Sequence, residues 1–421
     1  MQVLKVAIAG LGTVGTGVID ILQRKQAYLL EKTGVKIEIV AVSARDKNKK
    51  RNIEINKNIA WYENPEDLAT LKQVDLVVEL IGGADGVAYS LAKQTLQAKK
   101  HLVTANKALL AKHWNELHSL AEKNKVFLSY EASVGGGIPL IKHLKEGLIA
   151  NRFSKIYGIL NGTCNYILSE MLTHQKGFAE VLREAQNKGY AETPPDVDTR
   201  GIDTAHKLSI IANLAYGIQV SLDDFYIEGI EKITLDDINY ALSIGFAIKL
   251  LGIVEEKNNA IHLKVHPTLL PINDDLAKIN GVYNAISIFG DEVGKSFITG
   301  EGAGMYATAS AVVGDIIDTI SKKSDNVFYS NKRPKFGKIE NEEKCFYLRV
   351  SVKDRVGILS KITQLLSTKQ ISIDNVLQKH KSDGITDIII ITYPTKEKLM
   401  LEIFSKIKDL VEKEPLLIRI V

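Results

Sequence analysis

The sequence predicts an α/β fold built from more than one domain. A short apolar run, Leu4–Ala9, leads through a glycine-rich turn into a helical pattern, as the first strand and helix of a parallel sheet do. The last segment has the order βαββαβ, which is the ferredoxin-like arrangement. A chain of 421 residues is also too long for one ordinary domain. We therefore expect an N-terminal Rossmann nucleotide-binding domain, an α+β substrate and dimerisation domain, and a C-terminal ferredoxin-like domain.

Composition narrows the class of protein. Hydrophobic residues make up 45% and charged residues 25%, as in globular proteins, and a net charge of +4 gives no footprint for nucleic acid. The two cysteines, Cys164 and Cys345, are far apart and lack metal-ligand spacing, which fits a reducing compartment and argues against zinc. We recognise neither a signal peptide nor an apolar run long enough to span a membrane. We expect a cytoplasmic protein with no nucleic-acid or membrane partner.

The first turn carries a dinucleotide-binding motif of the form GxGxxG between strand and helix. Its first glycine permits the tight turn, its second lets a pyrophosphate approach the backbone, and its third lets helix and strand pack closely. The helix that follows offers its N–H groups to the phosphates. The alternative is a glycine-rich turn without a ligand. The cofactor contacts predicted in this turn are Gly10, Leu11, Gly12, Thr13, Val14 and Gly15.

Later strand ends of the same sheet supply further predicted cofactor contacts. The second strand ends in Ser43, where NAD-preferring folds have an acid, and Arg45 follows with lysines beyond it. A cationic strand end suits a 2′-phosphate, so we expect NADPH to be preferred over NADH. Lys107 lies just past the carboxyl end of the strand His101–Thr104, on the ligand side of an open sheet, although a solvated helix-start lysine would look the same. The contacts predicted at this edge are Ile81, Gly82, Thr104 and Lys107.

The acid-rich stretch Ala191–Leu208 is the strongest candidate for a substrate site. Asp203 and Lys207 would share one face if Ile202–Ala215 is helical. Acids around a lysine can hold a zwitterionic substrate and keep an ammonium in place to give or take a proton. The alternative is an i,i+4 ion pair on a solvated helix, worth roughly a few tenths of a kcal/mol. We also expect two prolines, Pro194 and Pro195, to hold the first part of the stretch extended.

Two loops could complete this site. Glu131–Pro139 contains three successive glycines, whose backbone can approach a substrate or turn carbonyl groups onto a cation, or can serve as a hinge between domains. Asn161 or Thr163 is expected to cap the helix Tyr166–Thr173, and the open N–H groups there could hold a carboxylate. The predicted substrate contacts are thus Glu192, Asp198, Asp203, Asn161 and Thr163.

The rest of the chain is expected to alternate between helices and strands. Helical patterns cover Ala205–Ala215 and Leu235–Leu251, and glycines from Gly300 precede a helix over Met305–Ser321 that suggests a return to the nucleotide domain. Residues 322–343 are polar and resemble a linker. The predicted boundaries are 1–133 for the nucleotide domain, completed by about 300–321, then 134–299 for the substrate domain and 344–421 for the C-terminal domain.

Together these motifs resemble the homoserine dehydrogenase family, in its long form with a C-terminal ACT domain. The matching stretches span nearly all of residues 1–320, and two more lie in the C-terminal segment. They are GLGTVG (10–15), TANK (104–107), EASVGGGIP (131–139), NGTCNYIL (161–168), AETPPDVDTRGIDTAHKL (191–208), GEGAG (300–304), TASAVVGD (308–315), KDRVGILSKI (353–362) and ISIDN (371–375).

The resemblance implies an NAD(P)H-dependent interconversion of L-aspartate 4-semialdehyde and L-homoserine, on the route to threonine, methionine and isoleucine. Lys207 would be the acid–base catalyst that protonates the carbonyl oxygen as hydride arrives. Asp203 would position Lys207 and the substrate, and Glu192 would hold the α-ammonium group. Lys107 looks like the second active-site lysine, close to the nicotinamide and the reacting oxygen.

The resemblance also implies a sodium ion and an oligomer. Glu131, Val134, Gly136 and Ile138 match the family's sodium ligands, the last three through main-chain oxygens. Gly302 matches a cofactor contact. A homodimer or a homotetramer is expected, and the sequence does not decide between the two.

The C-terminal domain is expected to bind an amino acid, threonine, and to inhibit the enzyme. Asp354 and Gly357 sit between a strand and a helix, where charged groups of a small ligand could meet N–H donors, and Asn375 lies in the matching ISIDN run. The alternative is a purely structural dimerisation module. For the whole chain, two rival functions remain: a non-catalytic sensor of NADPH and an amino acid, and a dehydrogenase for another amino-acid aldehyde.

Overall fold

A computed structural model describes residues 2–321, 333–381 and 384–421 of the chain. These residues form two compact units. The first draws on residues 2–156, 205–224, 283–321 and 333–334, and the second on residues 157–204, 225–282, 335–381 and 384–421. The first half of the predicted linker, residues 322–332, lies outside the described residues. Among the helices that the structure describes, none combines the length and apolar character needed to cross a membrane.

The first unit opens with a sheet of six parallel strands. The strands are β1 (Gln2–Ala9), β2 (Val35–Ser43), β3 (Ala60–Tyr62), β4 (Leu76–Glu79), β5 (His101–Thr104) and β6 (Leu128–Ser129). The helices among them are α1 (Thr13–Arg24), α2 (Gln26–Thr33), α3 (Asp67–Thr70), α4 (Val87–Gln97) and α5 (Lys107–Asn124). The strand order is β3-β2-β1-β4-β5-β6, all parallel. This is the order of the Rossmann fold, whose ligand crevice lies where the order reverses, between β1 and β4. The predicted fold class is confirmed here.

The following elements run to residue 321. In chain order they are α6 (Leu140–Lys142), β7 (Phe153–Ile159), α7 (Gly162–His174), α8 (Phe178–Asn187), α9 (Asp196–Thr199), α10 (Ile202–Tyr216), β8 (Tyr226–Ile227), α11 (Leu235–Ser243), β9 (Phe246–Lys257), β10 (Ala260–Pro271), β11 (Tyr283–Gly290), β12 (Gly294–Glu301) and α12 (Met305–Ser321). The predicted helix over Leu235–Leu251 is wrong beyond Ser243. Gly245, at a φ of 85°, follows the helix end, and the buried apolar run after it is the strand β9.

Helix α12 completes the core of the first unit. Val6 and Ile8 of β1 share one apolar cluster with Val18 of α1 and with Val312 and Ile316 of α12. The intervening β1 residues face the opposite side of the sheet, because side chains alternate along a strand, and they join a second cluster. Both faces of the sheet are therefore covered, as a parallel sheet requires.

The C-terminal segment folds as predicted, in the order βαββαβ with one short added strand. Its elements are β13 (Glu343–Lys353), α13 (Ile358–Thr368), β14 (Ile373–His380), β15 (Ile385–Thr392), β16 (Thr395–Lys396), α14 (Glu397–Ile407) and β17 (Leu416–Ile420). The strand order is β17-β13-β15-β14, antiparallel throughout. β17 also pairs in parallel with β10, so in the second unit one continuous sheet runs β9-β10-β17-β13-β15-β14.

The two faces of this C-terminal sheet differ in chemistry. Phe346, Leu348 and Val350 of β13 point into an apolar core with α13 and α14. The alternate residues of β13 are polar and buried: the Arg349 Nε donates to Asp237 of α11 at 2.5 Å, and the Tyr347 hydroxyl donates to the same carboxylate at 3.1 Å. The C-terminal domain is thus joined to the substrate part of the second unit by a strand pairing and by buried charge pairs.

Candidate active site

The turn after β1 is shaped to receive phosphates. A Cβ on Gly10, which adopts a φ of 95°, would overlap the carbonyl group of Leu80, and a Cβ on Gly15 would overlap the Gly10 carbonyl oxygen. In contrast, a Cβ on Gly12 would meet nothing within 4 Å. Gly12 is also the N-cap residue of α1, and no side chain caps that helix. The turn packs tightly against the protein at Gly10 and Gly15 and leaves open space at Gly12, which fits a dinucleotide pyrophosphate at the helix N-terminus.

A buried carboxylate that sequence reasoning missed organises the neighbouring loop. Glu79, at the end of β4, is fully buried and accepts the N–H groups of Ile81 at 2.7 Å and of Gly82 at 3.3 Å. It also accepts the Thr104 hydroxyl at 2.6 Å. Burial raises the pKa of Glu79. The sequence signal for Glu79 is an acid at the end of an otherwise apolar strand, on the ligand edge of the sheet.

The same network fixes the helix that begins with Lys107. The Asn106 N–H donates to the Thr104 hydroxyl at 3.0 Å, and the Asn106 side chain caps α5 by accepting the Leu109 N–H at 3.1 Å. The Asn106 amide also donates to the Gly83 carbonyl oxygen at 2.7 Å. The network therefore brings together four predicted cofactor contacts at one edge of the Rossmann sheet: Ile81, Gly82, Thr104 and Lys107.

The loop after β2 presents a cation and engages its own acid. Arg45 is exposed at the strand end, while the Asp46 carboxylate accepts the N–H groups of Asn48 at 2.8 Å and Lys49 at 3.1 Å. Arg51, which sequence reasoning did not single out, donates to the carbonyl oxygens of Asp46 at 2.8 Å and of Leu11 at 3.4 Å. Arg51 thereby holds the loop against the glycine-rich turn. The Asp46 carboxylate is engaged by backbone N–H groups within the loop itself.

The glycine-rich segment after β6 folds around two buried acids. Both Glu131 carboxylate oxygens accept backbone N–H groups, from Ile141 at 2.8 Å and from Lys142 at 2.9 Å. The Glu131 N–H donates in turn to the Asp315 carboxylate of α12 at 2.8 Å. Burial raises the pKa of Glu131, and it raises the pKa of Asp315 to about 7.

The same segment contains the predicted sodium ligands. Val134 and Ile138 are buried, and Gly136, at a φ of 56°, lies so close to the Gly302 carbonyl group that a Cβ would overlap it. In the part of the chain that the structure describes, no group of three His, Cys, Asp or Glu side chains could hold a metal ion. Three of the four predicted ligands are main-chain oxygens, and oxygen donors suit a hard cation such as sodium.

Asn161 brings two of the predicted substrate carboxylates together. Its Nδ2 donates to Asp198 Oδ1 and to Asp203 Oδ2, both at 2.8 Å, and its Oδ1 caps α7 by accepting the Cys164 N–H at 2.7 Å. Asn161 and Asp203 are both almost fully buried. The amide spans two acids of the Ala191–Leu208 stretch and fixes them at the N-terminus of a helix. Of the two predicted caps, Asn161 is the one that caps.

The remaining members of the predicted site differ in exposure. Glu192 is exposed, and the Thr163 hydroxyl donates to the Tyr190 carbonyl oxygen at 2.6 Å, so it fixes the loop that leads to Glu192. Lys207 is buried on α10, one helical turn after Asp203. The stretch predicted to be extended instead bends at residues 193 and 194, and Pro195 is the N-cap residue of α9.

Two of the predicted effector residues lie at the start of α13, and the third lies on β14. Gly357 is the N-cap residue of this helix, with a φ of 85° and no side-chain cap. Asp354, three residues earlier, has its N–H bonded to the Gly384 carbonyl oxygen at 3.2 Å and its carboxylate 3.3 Å from His380 Nδ1. Asn375 lies exposed on β14, the edge strand of the sheet.

Comparison with known proteins covers nearly the whole chain. Three family models match: the homoserine dehydrogenase NAD-binding domain over residues 10–131, homoserine dehydrogenase over 139–317, and the ACT domain over 346–412. A homoserine dehydrogenase from Helicobacter pylori is 44% identical over 97% of this chain and 96% of its own length. One from Pseudomonas aeruginosa is 40% identical over 94% of each. The crystal structure of a homoserine dehydrogenase from Thiobacillus denitrificans superposes with a TM-score of 0.93, at 38% identity, covering 100% of this chain and 99% of that one.

Proposed function

The chain belongs to the homoserine dehydrogenase family, and from this premise we propose which of its residues bind substrate and cofactor and which move the proton. It is an NAD(P)-dependent oxidoreductase acting on CH–OH, which interconverts L-aspartate 4-semialdehyde and L-homoserine, and it carries an ACT domain. The resemblance drawn from the sequence motifs is confirmed. The alternative of a non-catalytic sensor gains no support.

The Asn161 bridge is the observation that supports the substrate site. An amide that donates at 2.8 Å to both Asp198 and Asp203 uses its two N–H donors on two carboxylates and holds these acids close together. Paired carboxylates in a buried setting favour a cation, and the α-ammonium group of the substrate is such a cation. Glu192, exposed on the loop before them, would hold the same ammonium group, and Thr163 would support that loop.

Lys207 is the proposed acid–base catalyst. A bound NAD(P)H supplies the hydride, so the chain itself has to deliver a proton to the carbonyl oxygen of the aldehyde. Lys207 is buried on the same helix as Asp203 and one turn away, a spacing at which a carboxylate can orient an ammonium group. Lys107, which opens the capped helix at the ligand edge of the Rossmann sheet, would be the second lysine, near the nicotinamide.

We further expect NADPH to be the preferred cofactor. The exposed Arg45 suits a 2′-phosphate, and the Asp46 carboxylate is occupied by two backbone N–H groups of its own loop. Gly10, Gly12 and Gly15 form the phosphate cradle. Gly302 would contact the cofactor from the segment that leads into α12.

The proposal also includes a sodium ion. This ion would be held by Glu131, Val134, Gly136 and Ile138.

The C-terminal domain would bind threonine and take part in assembly. Threonine would bind at Asp354, Gly357 and Asn375, because an uncapped helix start beside an acid offers partners for both ends of an amino acid. β14 is an edge strand and could pair with a second copy of the chain in a homodimer or homotetramer. The two free cysteines fit a cytoplasmic enzyme.

The test is turnover by purified protein beside Lys207→Met. NADPH and NADH oxidation would be followed with L-aspartate 4-semialdehyde, and Lys123→Met, at an exposed lysine of α5, serves as the matched control. Loss of the proton donor should lower kcat by at least about a hundredfold, while the control keeps the wild-type rate. A Lys207→Met enzyme with near-normal kcat would contradict the role of Lys207 as acid–base catalyst. A faster rate with NADH than with NADPH would contradict the role of Arg45 in cofactor preference.

A further inference from the structure

A short segment of the second unit, Tyr226–Glu231, lies between the C-terminal domain and the loop that carries the substrate carboxylates. We call it the 226–231 segment. It begins as β8, which pairs in parallel with β10, and the Glu228 N–H continues the pairing by donating to the Val265 carbonyl oxygen at 2.7 Å. The proposed substrate chemistry does not use any of its residues, yet several of its side chains are engaged in charged contacts.

On one side, the segment is bound by an arginine of β17. Arg419 is almost fully buried and donates from Nη1 to the Glu228 carboxylate at 2.6 Å and from Nη2 to the Tyr226 hydroxyl oxygen at 2.7 Å. Its Nε donates to both oxygens of Glu397 at 3.1 Å, so the same guanidinium joins the segment to α14. The Tyr226 hydroxyl donates to Glu228 at 2.8 Å. A planar guanidinium with several fixed donors is suited to hold two carboxylates in one geometry.

On the other side, the segment is bonded to the loop before α10. The Ile230 N–H donates to the Thr199 carbonyl oxygen at 2.9 Å, and the buried Thr199 hydroxyl donates to the Glu231 carboxylate at 2.9 Å. Between these contacts a Cβ on Gly229 would overlap the Thr199 carbonyl group. The two backbones therefore touch, and only glycine permits that approach.

Thr199 directly follows Asp198 and lies four residues before Asp203, the two acids that the Asn161 amide bridges. We propose that Glu228, held by Arg419, is a positioning residue that fixes the 226–231 segment and, through Thr199, the placement of these two acids. The inference rests on the proposed substrate site. It makes β17 of the C-terminal domain part of the support of that site, by hydrogen bonds that are linked through the backbone of the 226–231 segment and of the loop at Thr199.

The proposal predicts a change that is specific to the substrate. Glu228→Ala leaves Arg419 paired with Glu397, so the C-terminal sheet should keep its fold. The KM for L-aspartate 4-semialdehyde should rise at least about fivefold, the worth of one good hydrogen bond, while the KM for NADPH stays unchanged. Lys232→Gln is the matched control, because it breaks the exposed Lys232–Glu414 ion pair between the same two parts of the chain.

A double-mutant cycle tests the link to the C-terminal domain. Arg419→Lys keeps the charge but loses the planar guanidinium. It should raise the substrate KM in the wild-type background and have a clearly smaller effect in the Glu228→Ala background, where the Tyr226 hydroxyl still joins Arg419 to the segment. The proposal is overturned if Glu228→Ala leaves the substrate KM unchanged, if it lowers only the amount of folded enzyme, or if the Arg419→Lys effect is undiminished without Glu228. These results are distinct from failure of the substrate site itself, which would appear as an unchanged substrate KM in Asp198→Asn and Asp203→Asn.

Discussion

Asp315 is a carboxyl group whose surroundings disfavour its charge. It is 3% exposed, accepts the Glu131 N–H at 2.8 Å, and lies in a cluster with Glu131, itself buried. Burial raises the pKa of Asp315 to about 7, above its ordinary value of 3.8. Because the folded state then holds a proton that the unfolded state releases, this residue makes the free energy of unfolding fall as pH rises between these two values.

Asp315→Asn should remove that dependence. The amide oxygen can still accept the Glu131 N–H, so the variant should gain stability relative to the wild type as pH rises from 5 to 8, by on the order of 2 kcal/mol. Urea unfolding of both proteins at the two pH values measures the difference. Parallel stability curves for wild type and variant would show that Asp315 ionises as readily in the folded state as in the unfolded state.

Sequence reasoning was effective for residues that occur in clusters and weak for isolated ones. Asp198 and Asp203 stand in one acid-rich stretch, and the structure joins them through Asn161, which the sequence predicts as a helix cap and a substrate contact but not as a bridge between the two acids. Glu79 stands alone in an apolar strand, and its role depends on Thr104, which is 25 residues away. A contact between residues so far apart in the chain leaves no local pattern. The sequence signal is limited to an acidic residue in a strand that is otherwise apolar.

Two glycines of the first turn serve different purposes at the scale of the element. A Cβ on Gly15 would overlap the Gly10 carbonyl oxygen inside the protein, whereas a Cβ on Gly12 would meet no atom of the chain within 4 Å. Glycine is required at position 15 because α1 packs closely onto β1. Glycine at position 12 has no explanation in the protein alone, and it fits a ligand that approaches the backbone.

Substitution by alanine should separate the two requirements. Gly12→Ala should keep the melting temperature of the wild type and raise the KM for NADPH by about tenfold, because the methyl group meets only the bound phosphates. Gly15→Ala should lower the melting temperature by several degrees, since strain of roughly 1–3 kcal/mol enters the core of the first unit. Steady-state kinetics and thermal unfolding give both readouts, and an unchanged KM in Gly12→Ala would contradict the assignment of the turn.

Elements with a clear period or a local signal were predicted well, and short apolar runs were not. The helix Met305–Ser321 has the predicted bounds, and the ferredoxin-like order of the C-terminal segment is confirmed. The run after Gly245 is the strand β9 and not the predicted helix, because a continuously apolar sequence has no period that separates a buried strand from a buried helix. Tertiary pairing with β10 decides the outcome there.

At the scale of the second unit, the C-terminal domain is joined to the substrate part more firmly than a linker of polar residues suggested. The described residues of that predicted linker include Lys335 and Gly337, which hydrogen-bond to Ile261 of β10, and Glu342, which is buried and pairs with Lys264 at 2.6 Å. The sequence did not reveal which strands would meet across domains. One sign was present: Arg419 interrupts an apolar final strand, and a buried arginine needs carboxylates.

This joint predicts that the substrate part is not stable alone. A chain that ends at Glu342 loses β17 from the side of β10, which leaves an open sheet edge, and it removes the Arg349 and Tyr347 side chains that hold Asp237. We expect this truncated chain to aggregate or to melt well below the full chain. Arg349→Met should destabilise the full-length protein by about 3–5 kcal/mol, since Asp237 then stays buried without the Arg349 guanidinium, beside the neutral donors of Tyr347 and Thr234. A truncated chain that remains monodisperse, keeps the melting temperature and retains full turnover would show instead that the ACT domain is only appended to the catalytic part.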